Sequence, residues 1–518
     1  MKPSTGPGGA GAPSRSKTTE PPEQAADVSK TIFEREDRVR ESQADTLIRL
    51  VDAADVHAWR TPGQDLYVTL IDNGRAEHFP VKSSHFRRWL RLQFYIAHEK
   101  AVRNEAISDA IGVLEGRAML GSEHEIYTRV AGFEGRIYID LADCERRIVE
   151  IDKRGWRIVT EAPVRFRRPA GTLPLPTPVR GGSVDDLRPL INVPDDDAWV
   201  LLVGYLLGAL HPDGPYLVMV ILGEKGTAKS TATRILVMLL DPKDAPLRRP
   251  PRGERDLAIA TRHGWVIALN NVSSLTPLLS DAISSIATEG GFVTRSLFTD
   301  DGEARFKDRR PVILNGIPDF VTRGDLADRS AKLTLARISD HDRREEADIL
   351  SEFARLQPQV LGALYDAVAC ALERSDSVIL DRSPRMADAA RWITAAEPAL
   401  GWRHGRFLAA FERALNESNA AVVESDAIAL AVREFATSDD WRGSATELLR
   451  ELSKRNQDES KLSDWPTSPQ GLASALRRCA PELRSVGVLA VQDERADSSR
   501  RTKLWTIRRI AADGEVDA

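Results

Sequence analysis

The chain has 518 residues, 42% hydrophobic and 29% charged, the balance of a globular protein too long for one hydrophobic core. Its 72 Lys and Arg against 77 Asp and Glu give a net charge of −5, so any nucleic-acid contact must come from local basic surfaces. Its three cysteines, Cys144, Cys370 and Cys479, are odd in number and far apart, which excludes a disulfide framework and a CxxC zinc site.

Residues 1–41 are rich in Gly, Pro, Ser and Thr and read as a disordered tail without the apolar core of a secretory signal. An α+β domain of unassigned role is expected over 42–178. It opens on the amphipathic run ADTLIRLVDAADV and continues through a hairpin at Asp72-Asn73-Gly74-Arg75. A strand-rich patch follows from Gly135 to Val159. The acids of this N-terminal domain, among them Asp65, Asp72 and Asp140, are scattered and suggest no metal site. The Pro- and Gly-rich stretch beginning at Arg168 is expected to be a domain boundary.

The most apolar run, Trp199 to Leu210, ends at His211-Pro-Asp-Gly-Pro and is shorter than the roughly 18 residues of a membrane span. It reads as a buried helix, and the chain as a cytoplasmic protein with no membrane contact. Over 179–342, helical patterns alternate with short apolar strands, the signature of an α/β core with a mainly parallel sheet. A helical lid or linker is expected over 343–440, and a separate winged-helix-like domain over 441–512.

The core contains one segment that carries chemistry. The apolar run Tyr216 to Leu222 leads into Gly223-Glu224-Lys225-Gly226-Thr227-Ala228-Lys229-Ser230-Thr231 and then an amphipathic helix. Strand, glycine loop and helix in this order are the context that a Walker A site requires; the other reading is an ordinary strand-to-helix turn. In such a site backbone amides cradle the phosphates, Lys229 would reach the β- and γ-phosphates of ATP, and Ser230 would ligate Mg²⁺. Ala228 stands where the pattern has Gly. If its backbone is left-handed, that costs about 1–2 kcal/mol.

About forty residues on, Trp265-Val-Ile-Ala-Leu ends in Asn270-Asn271, where an ATPase of this architecture puts its acidic metal partner. Asn270 still offers an oxygen to the metal or its water, but no charge. A third strand, Pro311 to Leu314, ends in Asn315, placed to orient an attacking water. Arg329 then allows two readings: a cation offered to a neighbour's nucleotide, or a partner of Asp325 or Asp328 on its own surface.

GEKGTAKST, WVIALNNVSSL, the hairpin beginning at Thr294, RPVILNGI and DLADRS, in this order, resemble phage- and plasmid-type replication ATPases. These are AAA+ proteins akin to superfamily III helicases and the helicase half of primase–helicase proteins. The resemblance covers roughly Val184 to Gly401. It implies a ring-forming, hexameric ATPase that translocates on DNA beside a replication partner such as a primase. It also implies Asn315 as sensor 1, Arg329 as arginine finger, and an Arg295–Phe306 hairpin directed at the pore. Ala228 and Asn270 depart from the family pattern.

The last unit shows helices followed by two strand-like runs, with nine basic residues against four acids from Gln470 to Ile510. Arg477 and Arg478 on a helix, and Arg500, Arg501 and Lys503 on a wing, are candidates to grip DNA phosphates; the other reading is a protein-docking winged helix. For the whole chain the leading expectation is an ATP-dependent DNA motor. The alternative is a hydrolysis-impaired, nucleotide-gated DNA-binding protein. A metabolic P-loop kinase is disfavoured, because it needs neither finger, pore hairpin nor basic C-terminal module.

Overall fold

A computed structural model describes residues 41–72, 74–289, 293–295, 303–305, 309–436, 440–456, 465–492 and 503–510. The expected tail at 1–41 therefore lies almost wholly outside the described residues. The chain divides into two compact units, Met1–Glu123 and His124–Ala518.

In the first unit, α1 (Gln43–Ala53) is capped by the Ser42 hydroxyl, which accepts from the Asp45 amide. Strands β1 (His57–Arg60), β2 (Leu66–Asp72) and β3 (Arg75–Pro80) form one antiparallel sheet. Asp72 pairs with Arg75 across the expected two-residue turn, and Gly74 takes φ +74°, as such a turn requires. Helices α2 (Ser84–His98) and α3 (Asn104–Leu120) complete the unit. Its core joins Leu47 and Val51 to Val68, Phe86, Leu90, Ile107 and Leu114.

The second unit opens with an antiparallel meander of β4 (Val130–Phe133), β5 (Arg136–Asp140), β6 (Ile148–Asp152) and β7 (Gly155–Val159). The division at Glu123 thus falls inside the stretch expected as one domain, 42–178. The reason is burial. Ile137, Ile139, Val149 and Ile151 share one apolar cluster with Leu201, Ile235 and Val360 of the following elements. The Pro-rich stretch is a strap laid across its neighbours. Leu175 donates to Leu141 O, Leu173 to Pro242 O, and Val179 to Pro358 O.

Beyond the strap, α4 (Asp196–Ala209) is the apolar run, and all but its first two residues are buried. The sheet that follows is parallel, in the order β13-β8-β12-β9. It is built from β8 (Val218–Leu222), β9 (Ile267–Val272), β12 (Val312–Gly316) and β13 (Ser330–Thr334). Between them come α5 (Lys229–Leu240), α6 (Glu254–His263), α7 (Pro277–Thr288), the paired strands β10 (Val293–Arg295) and β11 (Glu303–Arg305), and the short α8 (Gly324–Ala327). Because β12 lies between β8 and β9 while β13 flanks β8 on the other side, the chain reverses direction across β8. In open α/β sheets that reversal opens a crevice at the strands' carboxyl ends.

Helices α9 (Glu346–Arg374), α10 (Ala387–Ala396) and α11 (Arg406–Ser425) contribute Val360, Tyr365, Ile393, Phe407 and Phe411 to the same large cluster as α4 and α5. A separate core begins earlier than expected, with α12 (Ala427–Phe435), whose Ile428 and Val432 pack with Leu448, Leu472, Trp505 and Ile507. Strand β14 (Trp441–Ser444), α13 (Ala445–Arg455), α14 (Pro469–Ser485), β15 (Val488–Gln492) and β16 (Leu504–Arg509) complete that body. Its antiparallel sheet has three strands, β14-β16-β15, where the sequence suggested two. No helix among the described residues is long and apolar enough to cross a membrane.

Candidate nucleotide site

Every residue of β8 is buried, so the chain leaves the sheet at Leu222 and must turn at once. Gly223 makes that turn at φ +147°, where a Cβ would lie 2.8 Å from Thr227 Oγ1 and 3.1 Å from Leu335 O. Gly226 follows at φ +83°. Ala228 is left-handed, φ +61° and ψ +26°, and α5 begins with the next residue. The chain thus holds an alanine in the backbone conformation that glycine tolerates best. Ala228→Gly should relieve about 1–2 kcal/mol of strain against about 0.4–1 kcal/mol of added unfolded-chain entropy. A small rise in thermal midpoint is the expected result; a fall would show that the loop does not resist this geometry.

The loop ends at a helix N-terminus, whose unpaired amides and positive dipole end favour an anion. Lys229 is only 9% exposed. Its Nζ donates to Gly223 O at 2.7 Å, Glu224 O at 2.5 Å and Thr227 Oγ1 at 3.4 Å. Burial lowers its pKa. An ammonium held this way is desolvated in advance and satisfied only by neutral oxygens, which a phosphate oxygen can replace with a stronger, charge-assisted bond. Ser230 Oγ donates to Asn270 Oδ1 at 3.0 Å, so the helix start and the tip of β9 meet where the sequence placed a metal site.

Other expected residues sit differently. Glu224 and Lys225 are exposed at the loop's tip, and Thr227 is buried, donating to Glu224 O. Thr231 turns away to Glu346, which also pairs with Arg234 at 3.1 Å and fixes the start of α9 on α5. Asn315 is fully buried, and both ends of its amide are engaged. Its Oδ1 accepts from the Asn271 amide at 3.0 Å and its Nδ2 donates to Thr233 Oγ1 at 2.8 Å. In this arrangement Asn315 ties β9 to α5. Asn271, at φ +60°, presents its amide to that clamp and its side chain to solvent.

Arg329 lies at the other end of the sheet. Ser330 pairs with Val218, the first residue of β8, whereas the loop follows the last. The Arg329 guanidinium is ion-paired to Asp325 and 3.8 Å from Glu289, and its side chain is 11% exposed. Of the two readings, the partner of Asp325 is the arrangement present. Arg329 cannot reach its own chain's loop.

Sequence reasoning missed Arg343. Its Nη2 lies 3.4 Å from where a Cβ on Gly226 would be, and it pairs with Asp340 at 3.1 Å. The run Asp342-Arg343-Arg344 just before α9 was the available signal, but nothing in it points back to a loop over a hundred residues earlier. No group of three or more His, Cys, Asp or Glu side chains able to hold a metal occurs among the described residues.

In the C-terminal body, Arg477 and Arg478 are exposed on α14, Arg478 lying 3.5 Å from Asp426, and Lys503 is exposed before β16. Arg500 and Arg501 lie outside the described residues, as do Phe306 and the middle of the β10–β11 hairpin.

A glycine loop at the reversal point of a parallel sheet, followed by a helical region and a smaller body with its own core, is the frame in which the comparisons fall. Residues 184–420 match the family model of the actinomycete integrative conjugative element replication protein. Residues 428–515 match that of the replication protein's C-terminal domain, and the two matches together place the chain in this family of mobile-element replication proteins. Among solved structures, the A form apo structure of the NrS-1 C-terminal region is similar at 11% identity and a TM-score of 0.41, covering 89% of this chain and 98% of that one. A second A-form structure of that region, residues 305–718, gives 10% and 0.38 with the same coverage. No curated protein matches the chain.

Proposed function

We propose that the loop from Gly223 to Thr231 binds ATP with Mg²⁺, and that the chain is an ATP-dependent DNA motor of helicase type serving replication of a mobile element. The observation that carries this reading is the buried Lys229, held across its own loop beside the Ser230–Asn270 hydrogen bond. The donors fit a triphosphate: backbone amides at a helix start, one desolvated ammonium, and Arg343 above Gly226. They fit Mg²⁺ less fully. Ser230 and Asn270 supply neutral oxygens, so the phosphates themselves must supply the negative charge that a hard divalent cation prefers.

Bound Mg²⁺ would offset charge on the phosphates during transfer. The rest falls to the chain. Lys229 exchanges loop carbonyls for phosphate oxygens, Ser230 and Asn270 hold the metal side, and Asn315 keeps β9 and α5 in register. In a ring, Arg329 would leave Asp325 for the nucleotide of a neighbouring subunit. The C-terminal body follows the order helix–strand–helix–helix–strand–strand, a winged-helix arrangement in which Arg477, Arg478 and Lys503 would grip DNA phosphates.

Asn270 supports a second reading, a nucleotide-gated DNA-binding protein that turns over poorly. Restoring a carboxylate tests it. Asn270→Asp should raise ATP turnover about tenfold or more, a barrier change of about 1.4 kcal/mol, and lower the Mg²⁺ needed for half-maximal activity. Measuring ATPase with and without DNA across protein concentration checks both readings. Unchanged turnover and unchanged Mg²⁺ dependence in the variant would remove Asn270 from the metal site.

A further inference from the structure

We infer that α2 of the N-terminal unit is a docking surface for duplex DNA. Charge is the first observation. Residues 41–123 carry ten Lys and Arg against twelve Asp and Glu, so the unit is slightly acidic overall. Within residues 82–103, however, stand Lys82, Arg87, Arg88, Arg91, Lys100 and Arg103 against a single acid, Glu99. Six of ten bases and one of twelve acids in so short a stretch is segregation, and a polyanion is the partner that rewards it.

Geometry gives the second observation. Phe86, Leu90 and Phe94 recur at every fourth position of α2 and are buried in the unit's core. The helix is therefore fixed in rotation, and its opposite face is turned to solvent. That face carries Arg88 and Arg91 together with Leu92, Tyr95 and Ile96, which are 52%, 59% and 65% exposed. Large apolar groups this exposed, set among arginines, mark a contact surface rather than a solvated one. Arg88 and Arg91 stand among these exposed apolar groups, so the face offers no continuous apolar stripe of the kind a lipid surface takes. An α-helix with its side chains is about 10–12 Å across and the major groove about 12 Å wide. Fifteen residues of α2 span about 22 Å of it. Arg87, Arg88 and Arg91 then meet phosphates, while Leu92, Tyr95 and Ile96 meet base edges and thymine methyls.

The test uses the full chain without nucleotide or Mg²⁺, so its outcome is independent of the ATP reading. Binding to a labelled 30-base-pair duplex is followed by anisotropy over a salt series for wild type, R87Q/R88Q/R91Q and R87K/R88K/R91K. The glutamine variant should bind at least tenfold more weakly near 0.1 M salt. Its slope of log affinity against log salt should be shallower by about 2–3, at about 0.9 for each phosphate no longer neutralised. The lysine variant should keep the wild-type slope. Wild-type affinity and slope in the glutamine variant would overturn the proposal. A loss confined to single-stranded DNA would overturn it too, as would altered self-association in sedimentation at unchanged duplex affinity, which would make α2 a protein-binding face.

Discussion

Lys229→Ala is expected to lower ATP affinity at least a hundredfold while leaving the fold intact. The size follows from the bonds at stake. Nζ now holds two backbone carbonyls, and in the bound state it would hold phosphate oxygens in a water-poor pocket. A hydrogen bond to a charged group contributes about 1.5–3 kcal/mol, and each 1.4 kcal/mol is about tenfold in affinity. Removing two such bonds gives the stated loss. Stability should change little, because the variant removes a desolvated charge and leaves only loop carbonyls, which water can solvate. Calorimetric titration with ATP, alongside a thermal melt, separates the two quantities. Wild-type affinity in a folded Lys229→Ala protein would end the reading of this loop as a phosphate site.

How much of this was legible before the structure depends on where each interaction lies along the chain. The β8–loop–α5 segment is local: five buried residues, two glycines and a helix start follow one another, so order alone gives the architecture. The left-handed turn at Ala228 was foreseeable for the same reason. Arg329 was readable only as two alternatives, and the i,i+4 spacing to Asp325 became the arrangement found. Asn315 shows the limit. A polar residue at a strand's tip looks the same whether it faces a crevice or is buried in a clamp, and only the partners Thr233 and Asn271 decide. Arg343 and the strap at 168–182 depend on interactions between distant segments, which no periodicity encodes. Strand β14 has only Trp-Arg-Gly-Ser, too short and too mixed for an alternation to show.

The largest loss of stability is expected at a pair no motif announces. Arg129, between the meander and the strap, is buried, and its Nε lies 3.0 Å from Asp241 at the end of α5. Its other nitrogens donate to Asp140 O and Leu173 O. Asp241 in turn accepts from the Trp265 amide at 2.7 Å, just before β9. One carboxylate therefore fixes both the helix that begins at Lys229 and the strand that carries Asn270. Arg129→Met leaves that carboxylate buried, with Lys243 at 3.7 Å as its nearest cation. Breaking such a pair costs about 3–5 kcal/mol, a large share of the roughly 5–15 kcal/mol that holds a domain together. The urea midpoint should fall accordingly, and ATP affinity should drop as the Ser230–Asn270 spacing loosens. Replacing both partners, Arg129→Met with Asp241→Asn, removes the stranded charge, keeps an acceptor for the Trp265 amide, and should recover much of the stability that the single variant forfeits. If the double variant is no more stable than Arg129→Met alone, packing around the guanidinium, and not the ion pair, joins the meander to the core.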